Sequence, residues 1–308
     1  MNNKEKKVKA LVLLSGGLDS ILAVKILLEQ NVEVEGICFY SNFFNCDLAR
    51  KAAKQLGVKL REVDIKEEFL GFLRKKPKYG YGVGLNPCID CHALMLKKAG
   101  EIMKKDGFAF VATGEVLNER PMSQKKDALK IVEKEAGLEG YLLRPLSAKL
   151  LEETIPEKNG LIDRNKLMDI SGRSRQKQFT LAKKFGIANY PSPAGGCALT
   201  QDGFVSRLKE LIKNKPDFNN EDIDLVKLGR HFWLNNSQVV LGRNKEENEQ
   251  LIKLKRDSDI IIKPDNFAGP TALIRGNINN KIKEAAKKII IDFSPKAKII
   301  DTLRFKSI

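Results

Sequence analysis

The sequence predicts an α/β fold in which a doubly wound, mainly parallel sheet is followed by a second, smaller α+β domain. Two observations predict it. Over the first half of the chain, strand patterns alternate with helix patterns at the spacing of βαβ units, and after residue 223 short strands alternate with two helices. Because 308 residues are enough for two hydrophobic cores, we assign residues 1–213 to the first domain and residues 223–308 to the second.

Apolar strand runs in the first domain are separated by helix patterns. The predicted strands are residues 8–14, 33–39, 59–64, 108–112 and 142–143, and the predicted helices are residues 21–30, 47–56 and 88–105. Gly57 follows the second helix directly, where a residue that accepts a positive φ angle favours helix termination. Parallel strands with right-handed crossovers bind ligands at the carboxyl edge of their sheet, so we expect the site in the loops after the strands.

The second domain is predicted to be small and basic, and residues 214–220 are predicted to be a linker before it. Its predicted strands are residues 231–234, 238–241, 259–262, 271–274 and 298–304, and its predicted helices are residues 245–255 and 280–290. Residues 223–308 hold 17 Lys and Arg against 10 Asp and Glu. The whole chain has a formal net charge of +16. Such an excess suits a polyanion such as RNA or DNA, and a solvated Lys-rich surface is the open alternative.

Two features of the sequence predict the location of the protein. No apolar run reaches the ~18 residues that span a membrane, so we expect no membrane segment. Five cysteines are an odd number in a long chain, which argues against a secreted disulfide framework. The sequence therefore indicates a protein of the reducing cytoplasm.

The first strand runs into a glycine-rich turn, S-G-G-L-D-S at residues 15–20, and a helix pattern follows at once. The adjacent Gly16 and Gly17 allow a tight turn whose N–H groups point at one spot, and the start of the helix adds its positive dipole end. Asp19 is placed to hold Mg²⁺ against bound phosphates. The hydroxyl donors of the turn are Ser15 and Ser20. The turn is therefore predicted to bind phosphate, and an ordinary strand-to-helix turn is the alternative.

This turn has neither the spacing of a Walker A loop nor that of a dinucleotide-binding loop. Its S-G-G-x-D-S pattern resembles the PP-loop ATP pyrophosphatases, whose domain is Rossmann-like. That resemblance implies that ATP is split between its α- and β-phosphates to activate a carbonyl or carboxyl oxygen as an adenylate. It also implies that the backbone at Phe39 and Gly114 borders the adenine and the ribose.

Two of the cysteines open a predicted helix, in N-P-C-I-D-C-H at residues 86–92. Asn86 suits the N-cap and Pro87 the first helical position, so Cys88 and Cys91 lie on one face of the first turn. The helix N-terminus is expected to stabilise their thiolates. A third cysteine, Cys197, follows P-A-G-G at residues 193–196, whose small residues let its backbone approach another group closely.

Four interpretations of these three cysteines are open. They bind a [4Fe-4S] cluster that leaves one iron free, form a catalytic thiol pair, hold structural zinc, or are buried thiols. His92 is a weak candidate for a fourth zinc ligand, because it points to a different side of the helix from Cys91. Cys38 is interpreted as core packing, and Cys46 is left unassigned.

The phosphate loop, the C-x-x-C and the distant third cysteine together resemble the tRNA thiolation branch of the PP-loop family, which includes 2-thiouridine and 4-thiouridine synthetases. The segment V-A-T-G-E-V at 111–116 with R-P-M-S-Q at 120–124 is similar to the T-G-E…S-Q stretch of 4-thiouridine synthetases. The three cysteines resemble the cluster-dependent subset, in which the open iron carries the transferred sulfur. The resemblance therefore implies metal ligands and catalytic residues at Cys88, Cys91 and Cys197, with Asp19 as a further catalytic residue.

The activity implied by this resemblance is ATP-dependent thiolation of a tRNA uridine. A carbonyl oxygen of the uridine is adenylated, pyrophosphate leaves, and sulfur from sulfide or from a persulfide-carrying desulfurase replaces the oxygen with loss of AMP. Two other functions are open: a PP-loop ligase that amidates a small molecule, with the cysteines on zinc, and a non-catalytic RNA-binding or sulfur-carrier protein.

The second domain contains a further pattern, V-V-L-G-R-N-K-E-E-N at residues 239–248, followed by D-I-I-I-K at 259–263 and G-P at 269–270. This pattern resembles the NFACT-type RNA-binding domain, which implies tRNA as a partner. A basic packing or dimerisation domain is the alternative, so a homodimer is left open.

In the first domain, residues 172–178 are predicted either to grip phosphates or to be a solvated surface. Residues 74–82 are likewise predicted to be either a lid or a solvated surface.

Overall fold

The computed structural model describes residues 7–192, 197–299 and 302–307, and its contacts divide the chain into two units, Met1–Thr200 and Gln201–Ile308. The predicted boundary lay between residues 213 and 223. The helix Asp202–Asn214 packs against the helix Asn220–Val226, so it belongs to the second unit and the boundary lies before it. Between these helices, the Arg207 Nε–H donates to the Val226 carbonyl at 2.9 Å.

The first unit is built on a five-stranded sheet in which every pair of neighbouring strands is parallel, in the order β3-β2-β1-β4-β5. Helices connect the strands, so the prediction of a doubly wound parallel α/β domain is confirmed. The strands are β1 Lys9–Leu13, β2 Glu33–Tyr40, β3 Lys59–Asp64, β4 Phe110–Thr113 and β5 Leu142–Leu143. The helices are α1 Leu18–Leu28, α2 Asp47–Leu56, α3 Lys66–Arg74, α4 Cys88–Asp106, α5 Lys126–Ala136, α6 Ile155–Lys158 and α7 Gln176–Lys184.

The centre of the sheet is its most buried part because β1 and α1 are apolar on almost every side. Leu11 and Val12 of β1 and Leu22 of α1 are fully buried. An all-apolar strand is typical of a parallel sheet that is covered on both faces. The loop between these two elements is therefore held from both ends by the core.

The strand order reverses beside β1, which places a crevice there. The chain runs from β1 to β2 and β3 on one side, and then to β4 and β5 on the other. Leu13 at the end of β1 lies opposite Ile37 of β2 and Thr113 of β4. The segments that follow these strands therefore meet at one edge, where doubly wound folds bind ligands.

Several elements differ from their predicted bounds. Helices α3 and α5 were not predicted. Helix α4 begins at Cys88 and its N-cap residue is Pro87, whereas the sequence predicted Asn86 as the N-cap.

Cys38, which we interpreted as core packing, is buried but joined to Cys46 by a disulfide, with 6.0 Å between the two Cα atoms.

The second unit contains an antiparallel five-stranded sheet in the order β10-β8-β9-β7-β6, which confirms the smaller α+β domain. The predicted strand at 298–304 is wrong, because a 3₁₀ helix occupies Pro295–Ile299 and the strand follows at 305–307. The strands are β6 Arg230–Leu234, β7 Ser237–Leu241, β8 Ile260–Pro264, β9 Ala272–Arg275 and β10 Phe305–Ser307. The helices are α8 Asp202–Asn214, α9 Asn220–Val226, α10 Lys245–Lys253 and α11 Asn280–Asp292.

A buried ionic network fixes α9 on this sheet. Arg275 at the end of β9 pairs with Asp259 at 2.7 Å and with Asp222 of α9 at 3.1 Å. Asp222 also accepts from Lys215 at 2.7 Å. Lys215 lies in the predicted linker, 214–220, so this stretch is bound to the second unit instead of being a free connection.

Across the described ranges, no helix is both long and apolar enough to cross a bilayer.

Candidate active site

The turn between β1 and α1 requires glycine for steric reasons. Gly16 has φ of +82°, and a Cβ built on it would stand 2.3 Å from the carbonyl carbon of Leu48 in α2. Gly17 is the N-cap residue of α1 and has no side-chain cap. The backbone of the turn is thus packed against α2, while the first N–H groups of α1 are left without a capping side chain.

The two serines of the turn stabilise its shape. The Ser15 Oγ accepts from the Gly17 N–H at 3.3 Å, and the Ser20 hydroxyl donates to the Gly17 carbonyl at 2.8 Å. The two hydroxyl oxygens lie 3.3 Å apart. The structure therefore brings the predicted phosphate ligands together at the start of α1; they are Ser15, Gly16, Gly17, Asp19 and Ser20.

The two residues predicted to border the nucleotide lie beside this turn. Phe39 stands two residues past Ile37, the last β2 residue paired with β1, and it is buried. Gly114 follows β4, and a Cβ on it would lie 2.5 Å from the backbone nitrogen of Ser20. Gly114 therefore has a packing role, because only glycine lets this segment approach the first turn of α1 so closely.

The Asp19 carboxylate is engaged by a residue far away in the sequence. The Arg175 Nη2 donates to the Asp19 Oδ2 at 2.9 Å, and Arg175 lies in the basic stretch 172–178 just before α7. Burial raises the pKa of the Asp19 carboxyl, and Arg175 offsets part of that rise. The sequence predicted either phosphate contacts or a solvated surface for this stretch and gave no sign of its contact with Asp19.

Two more polar side chains complete this group. Gln178 of α7 is fully buried, and its amide nitrogen donates to the Glu119 carboxylate at 3.4 Å. The pKa of the Glu119 carboxyl is raised, first by burial and then by the negative charge of Asp19. Glu119 was not predicted to belong to the site, and Gln178 was noticed only as the last residue of the basic stretch 172–178.

The three predicted cysteines are free thiols that influence one another. Cys88 and Cys91 lie in the first turn of α4, and the Leu85 N–H donates to the Leu199 carbonyl at 3.0 Å. That bond joins the segment before α4 to the turn after Cys197. The pKa of the Cys91 thiol is raised by burial, and further by Cys197 and Cys88. The structure therefore brings all three thiols into one neighbourhood, and P-A-G-G at 193–196 lies outside the described residues.

The expectation of a thiolate stabilised by the helix is wrong for the free protein. Burial raises the pKa of the Cys88 thiol, although a hydrogen bond from Asn86 and the charge of Arg120 lower it. Burial also raises the pKa of Cys197, although the Leu199 backbone lowers it. Desolvation favours the neutral thiol over the thiolate at each of these positions, although the three side chains are partly exposed.

Metal binding stays a prediction. Within residues 7–192, 197–299 and 302–307, no three side chains of His, Cys, Asp or Glu are grouped so that they could hold a metal ion.

A buried network links the thiol helix to the segment after β4. The His92 Nδ1 lies 2.9 Å from the Glu115 Oε1, and the Arg144 Nε donates to the Glu115 Oε2 at 3.0 Å. Burial alone would raise the pKa of the Glu115 carboxyl, but Arg144 and His92 outweigh it and lower the pKa to about 2. Sequence reasoning noticed the T-G-E pattern but missed Arg144, which follows β5. Glu115 therefore stays charged and holds His92, the residue next to Cys91.

The proposed lid at 74–82 is tied to α4. The buried Asp90 carboxylate accepts the Lys78 N–H at 2.9 Å and the Tyr79 N–H at 3.1 Å. The Tyr79 hydroxyl also donates to Glu135 at 2.7 Å. The Tyr81 hydroxyl donates to the Phe72 carbonyl at 2.9 Å. Both aromatic residues are thus bonded within the first unit.

Comparison with known proteins agrees with this arrangement. The family model described as the tRNA methyl transferase HUP domain matches residues 8–172, which is more than half of the chain. The chain belongs to this family. A second model, the NFACT protein RNA binding domain, matches residues 229–304.

Curated relatives of this HUP-domain chain are tRNA-specific 2-thiouridylases. The one from Sulfurimonas denitrificans is 38% identical over 117 residues, which are 34% of each chain. The one from Fusobacterium nucleatum is 26% identical over 216 residues, covering 67% of this chain and 60% of the relative. The chain thus spans about a third to three fifths of the length of these relatives. A solved 4-thiouridine synthetase–RNA complex with bound ATP aligns at 20% identity and a TM-score of 0.36, covering 58% of this chain and 52% of the other.

In the NFACT RNA-binding domain, the G-R-N loop has a local structural role. The Asn244 side chain accepts the Glu247 N–H at 2.9 Å and so caps α10. Arg243 pairs with the Glu247 carboxylate through its guanidinium group. A Cβ on Gly242 would overlap the Asn248 side chain, 2.2 Å away. The loop therefore sets the start of α10, in addition to any contact with RNA.

A half-buried histidine in the same domain, His231, is held neutral. The His231 Nε2 lies 2.7 Å from the Leu228 carbonyl, and the Gln238 amide donates to the Nδ1 at 3.0 Å. The pKa of His231 is lowered to about 4. Burial is the main cause, and the positive charges of Arg207 and Arg243 contribute to the same shift. Protonation would also leave the Gln238 donor without its acceptor.

We expect the NFACT domain to lose stability as the pH falls from about 6.5 to about 4. In this window the unfolded histidine binds a proton and the folded one does not, so the free energy of unfolding drops by up to about 3 kcal/mol. Trp233 in β6 is the single tryptophan, so its fluorescence during urea titration reports this domain. His231→Gln should flatten the pH dependence. His92→Gln, which changes the other histidine, should leave the pH dependence of unfolding unchanged. An equal effect of both variants would contradict the assignment to His231.

Proposed function

We propose that the chain catalyses ATP-dependent thiolation of a uridine in tRNA. The observation that carries the proposal is the continuity between the phosphate loop and the thiols. Gly114 packs on the backbone of the loop, and the next residue, Glu115, holds His92 beside Cys91. An ATP site and a thiol centre joined in this way suit a reaction that first adenylates a carbonyl oxygen and then replaces it. The relatives named as tRNA-specific 2-thiouridylases support the same chemistry.

The phosphate loop supplies the first half of the reaction. The oxygen of the uridine carbonyl attacks the α-phosphorus of ATP, the bond to the β-phosphate breaks, and pyrophosphate leaves. The N–H groups at the start of α1 bind phosphate oxygens. The Asp19 Oδ1 is buried and has no hydrogen-bond partner among the described residues, so the site fits a Mg²⁺ ion. Bound Mg²⁺ would neutralise charge that develops on the leaving pyrophosphate.

The second half of the reaction takes place at Cys88, Cys91 and Cys197. Sulfide attacks the activated carbon, the carbon–oxygen bond breaks, and AMP leaves, so uridine, ATP and sulfide give thiouridine, AMP and pyrophosphate. We assign a [4Fe-4S] cluster to these cysteines because two of them open α4 and the Leu85–Leu199 hydrogen bond brings the turn after Cys197 to the start of that helix. The three thiols are not grouped as metal ligands in the described residues, so the assignment requires them to draw together around the cluster. Cys38 and Cys46 are bonded to each other and do not supply a fourth ligand. Such a cluster would offer one iron to bind sulfide. A persulfide-carrying desulfurase would supply that sulfide only with a second thiol as reductant, which is oxidised to a disulfide as the sulfide leaves.

The test of this function is nucleoside analysis of tRNA. In a strain that lacks the gene, one thiouridine should disappear from digested tRNA in mass spectrometry, and the wild-type gene should restore it. Purified protein should form AMP and pyrophosphate in step with thiouridine. Unchanged thiouridines in the deletion strain, or tRNA-independent amidation of a small molecule, would refute the proposal.

The NFACT domain is assigned the binding of tRNA phosphates. Helix α11 carries four lysines against one glutamate and one aspartate, and Lys281 and Lys288 are exposed two turns apart. Neutralising both with Gln should weaken tRNA binding and reduce the slope of log K against log salt by up to about two. The measurement is a binding titration at several salt concentrations.

The matched control removes the same charge elsewhere. Lys104 and Lys105 are exposed at the end of α4, at the edge of the parallel sheet opposite the phosphate loop. Their double change to Gln should leave the salt slope within error. If both double variants lower the slope equally, tRNA binding follows net charge and the assignment to α11 is wrong.

A further inference from the structure

One surface of the NFACT domain carries an exposed aromatic ring beside an exposed arginine. Phe293 follows α11 directly and is 42% exposed. The guanidinium carbon of Arg230, in β6, lies 5.0 Å from the centre of the Phe293 ring. The ring of Phe232, also in β6, is tilted against the Phe293 ring with 5.9 Å between their centres. These three side chains, Arg230, Phe232 and Phe293, are called here the Phe293 platform.

The strand order places the Phe293 platform at an open edge. β6 is the last strand of its sheet, and α11 packs on β7, β8 and β9. Arg230 and Phe232 are two positions apart in a strand, so their side chains project from the same face of the sheet. Phe232 packs against the core to which α11 contributes Ile290, so this is the face that α11 covers. The platform therefore lies beside the end of α11, where no further strand follows.

The exposed ring stands on a fixed backbone. The Phe293 N–H donates to the Ile289 carbonyl at 3.2 Å. The next residue, Ser294, is buried, and its hydroxyl donates to the Ile290 carbonyl at 2.6 Å. The exposure of Phe293 is thus a property of the folded domain, and a ligand that covers the ring orders little additional chain.

The charges around the platform favour an anionic ligand. Within the part of the chain that the structure describes, the Arg230 side chain forms no ion pair and no hydrogen bond, so its donors are open to a ligand. Lys288 lies five residues before Phe293 and Lys296 three residues after it, and both are exposed. The exposed Asp292 is the acid beside the ring, so three cations face one carboxylate.

An aromatic ring together with a guanidinium group suits the flat face of a nucleobase. Proteins bind unpaired RNA bases by stacking them on aromatic rings and on arginine planes, while neighbouring cations bind the phosphates. A base-paired duplex keeps its base faces inside its own stack and offers phosphates and groove edges instead. An acidic peptide would pair with the cations but would supply nothing to stack on the ring. The combination of ring and cations therefore fits RNA with an unpaired base.

We propose that the Phe293 platform binds an unpaired nucleobase of RNA, which stacks on the Arg230–Phe293 pair while Lys288 and Lys296 bind the adjacent phosphates. The inference rests on the proposed function, since it names the part of the tRNA, an unpaired loop or end, that the NFACT domain holds. The lysines set the salt dependence of binding, and Phe293 sets the preference for unpaired RNA.

The experiment compares two RNA probes on the full chain. One is an oligouridine that carries a single 2-aminopurine, and the other is a blunt RNA duplex with the same number of phosphates. Each is titrated at several salt concentrations, and quenching of the 2-aminopurine fluorescence reports stacking. For Phe293→Leu we expect at least fivefold weaker binding of the oligouridine and loss of the quenching. Duplex binding and the slope of log K against log salt should not change, because no phosphate contact is removed.

Two further variants keep the test valid if Phe293→Leu does not fold. Arg230→Lys preserves the charge and the aromatic ring but removes the planar guanidinium group, so oligouridine binding should weaken at least threefold with the salt slope unchanged. Phe293→Trp retains a stacking surface and should bind the oligouridine at least as tightly as the wild-type protein does.

Matched controls lie elsewhere in the same domain. Ile252 is 39% exposed on α10, which packs on the opposite face of the sheet. Arg304 is exposed next to β10, at the opposite edge of the sheet. Neither Ile252→Ala nor Arg304→Lys should change the affinity for either probe.

The outcomes decide between the alternatives. Selective weakening of the oligouridine at an unchanged salt slope supports the proposal. Equal weakening of both probes, a lower salt slope for Phe293→Leu, or no weakening overturns it. A wild-type dimer that Phe293→Leu converts into monomers would assign the surface to a second copy of the chain and would also overturn it.

Failure of this inference and failure of the proposed function give different results. If the deletion strain keeps its thiouridines while the platform still selects unpaired RNA, the proposed function is refuted and this inference stands. If thiolation is intact but 2-aminopurine is not quenched, the inference is refuted and the proposed function stands.

Discussion

Asp19→Asn abolishes the release of AMP and pyrophosphate while the protein stays folded. The amide has the shape of the carboxylate but lacks its charge, so it neither holds Mg²⁺ nor pairs with Arg175. We expect turnover to fall by at least about a hundredfold, because metal stabilisation of the leaving pyrophosphate is worth several kcal/mol. The products are measured by separating labelled adenine nucleotides, and folding is checked by circular dichroism.

Asp47→Asn is the matched control for this variant. Asp47 is also the acidic residue in the first turn of a helix, α2, but its side chain is exposed and pairs with Arg50 at 2.6 Å on the surface. Its change should leave turnover near the wild-type rate. Release of ADP and phosphate by the wild-type protein would show that the loop does not act as a pyrophosphatase.

Changing Cys88, Cys91 or Cys197 to Ala abolishes thiolation, with no detectable thiouridine. In the proposed [4Fe-4S] cluster each cysteine supplies one thiolate, so each variant leaves two of the three protein ligands. Protein purified without oxygen should be brown and should contain four iron and four sulfide per chain. Each Ala variant should lose both the colour and the thiolation while still binding ATP, because the phosphate loop is intact.

Cys38→Ala is the control for the cysteine variants. Cys38 is bonded to Cys46 and lies apart from α4 in the sequence, so its loss should cost neither iron nor thiolation. A colourless, fully active wild-type protein without iron would contradict the cluster. A persulfide on Cys91 or Cys197 would then be the surviving account.

The sequence was most informative where each local signal agreed with the fold. Helix α2 and strand β3 have the predicted bounds, since Gly57 between them has φ of +67° and ends the helix. Helix α3 was missed because its sequence, K-E-E-F-L-G-F-L-R, contains a glycine and has its charged residues only at its two ends. Local composition obscured its apolar face, and tertiary packing of Phe69 and Leu70 determines it.

The candidate site was predictable only in its motif residues. The phosphate loop and the C-x-x-C are short segments, so the sequence contains their whole pattern. The contact between Asp19 and Arg175 joins residues 156 positions apart, and the contact between Glu115 and Arg144 joins residues 29 positions apart. Such pairs depend on strand order and register, which no local pattern encodes. The basic stretch 172–178 was noticed for its charge, and the fold supplies its partner.

Gly114 and Glu115 contact two different centres, although their Cα atoms are only about 3.8 Å apart. The spacing between the phosphate loop and His92, the neighbour of Cys91, therefore depends on one peptide unit and on the contact between the Glu115 and His92 side chains. A single inserted residue between them would turn Glu115 away from His92 or lift Gly114 from α1. We therefore expect the proposed reaction to tolerate neither an insertion nor a deletion at the Gly114–Glu115 peptide.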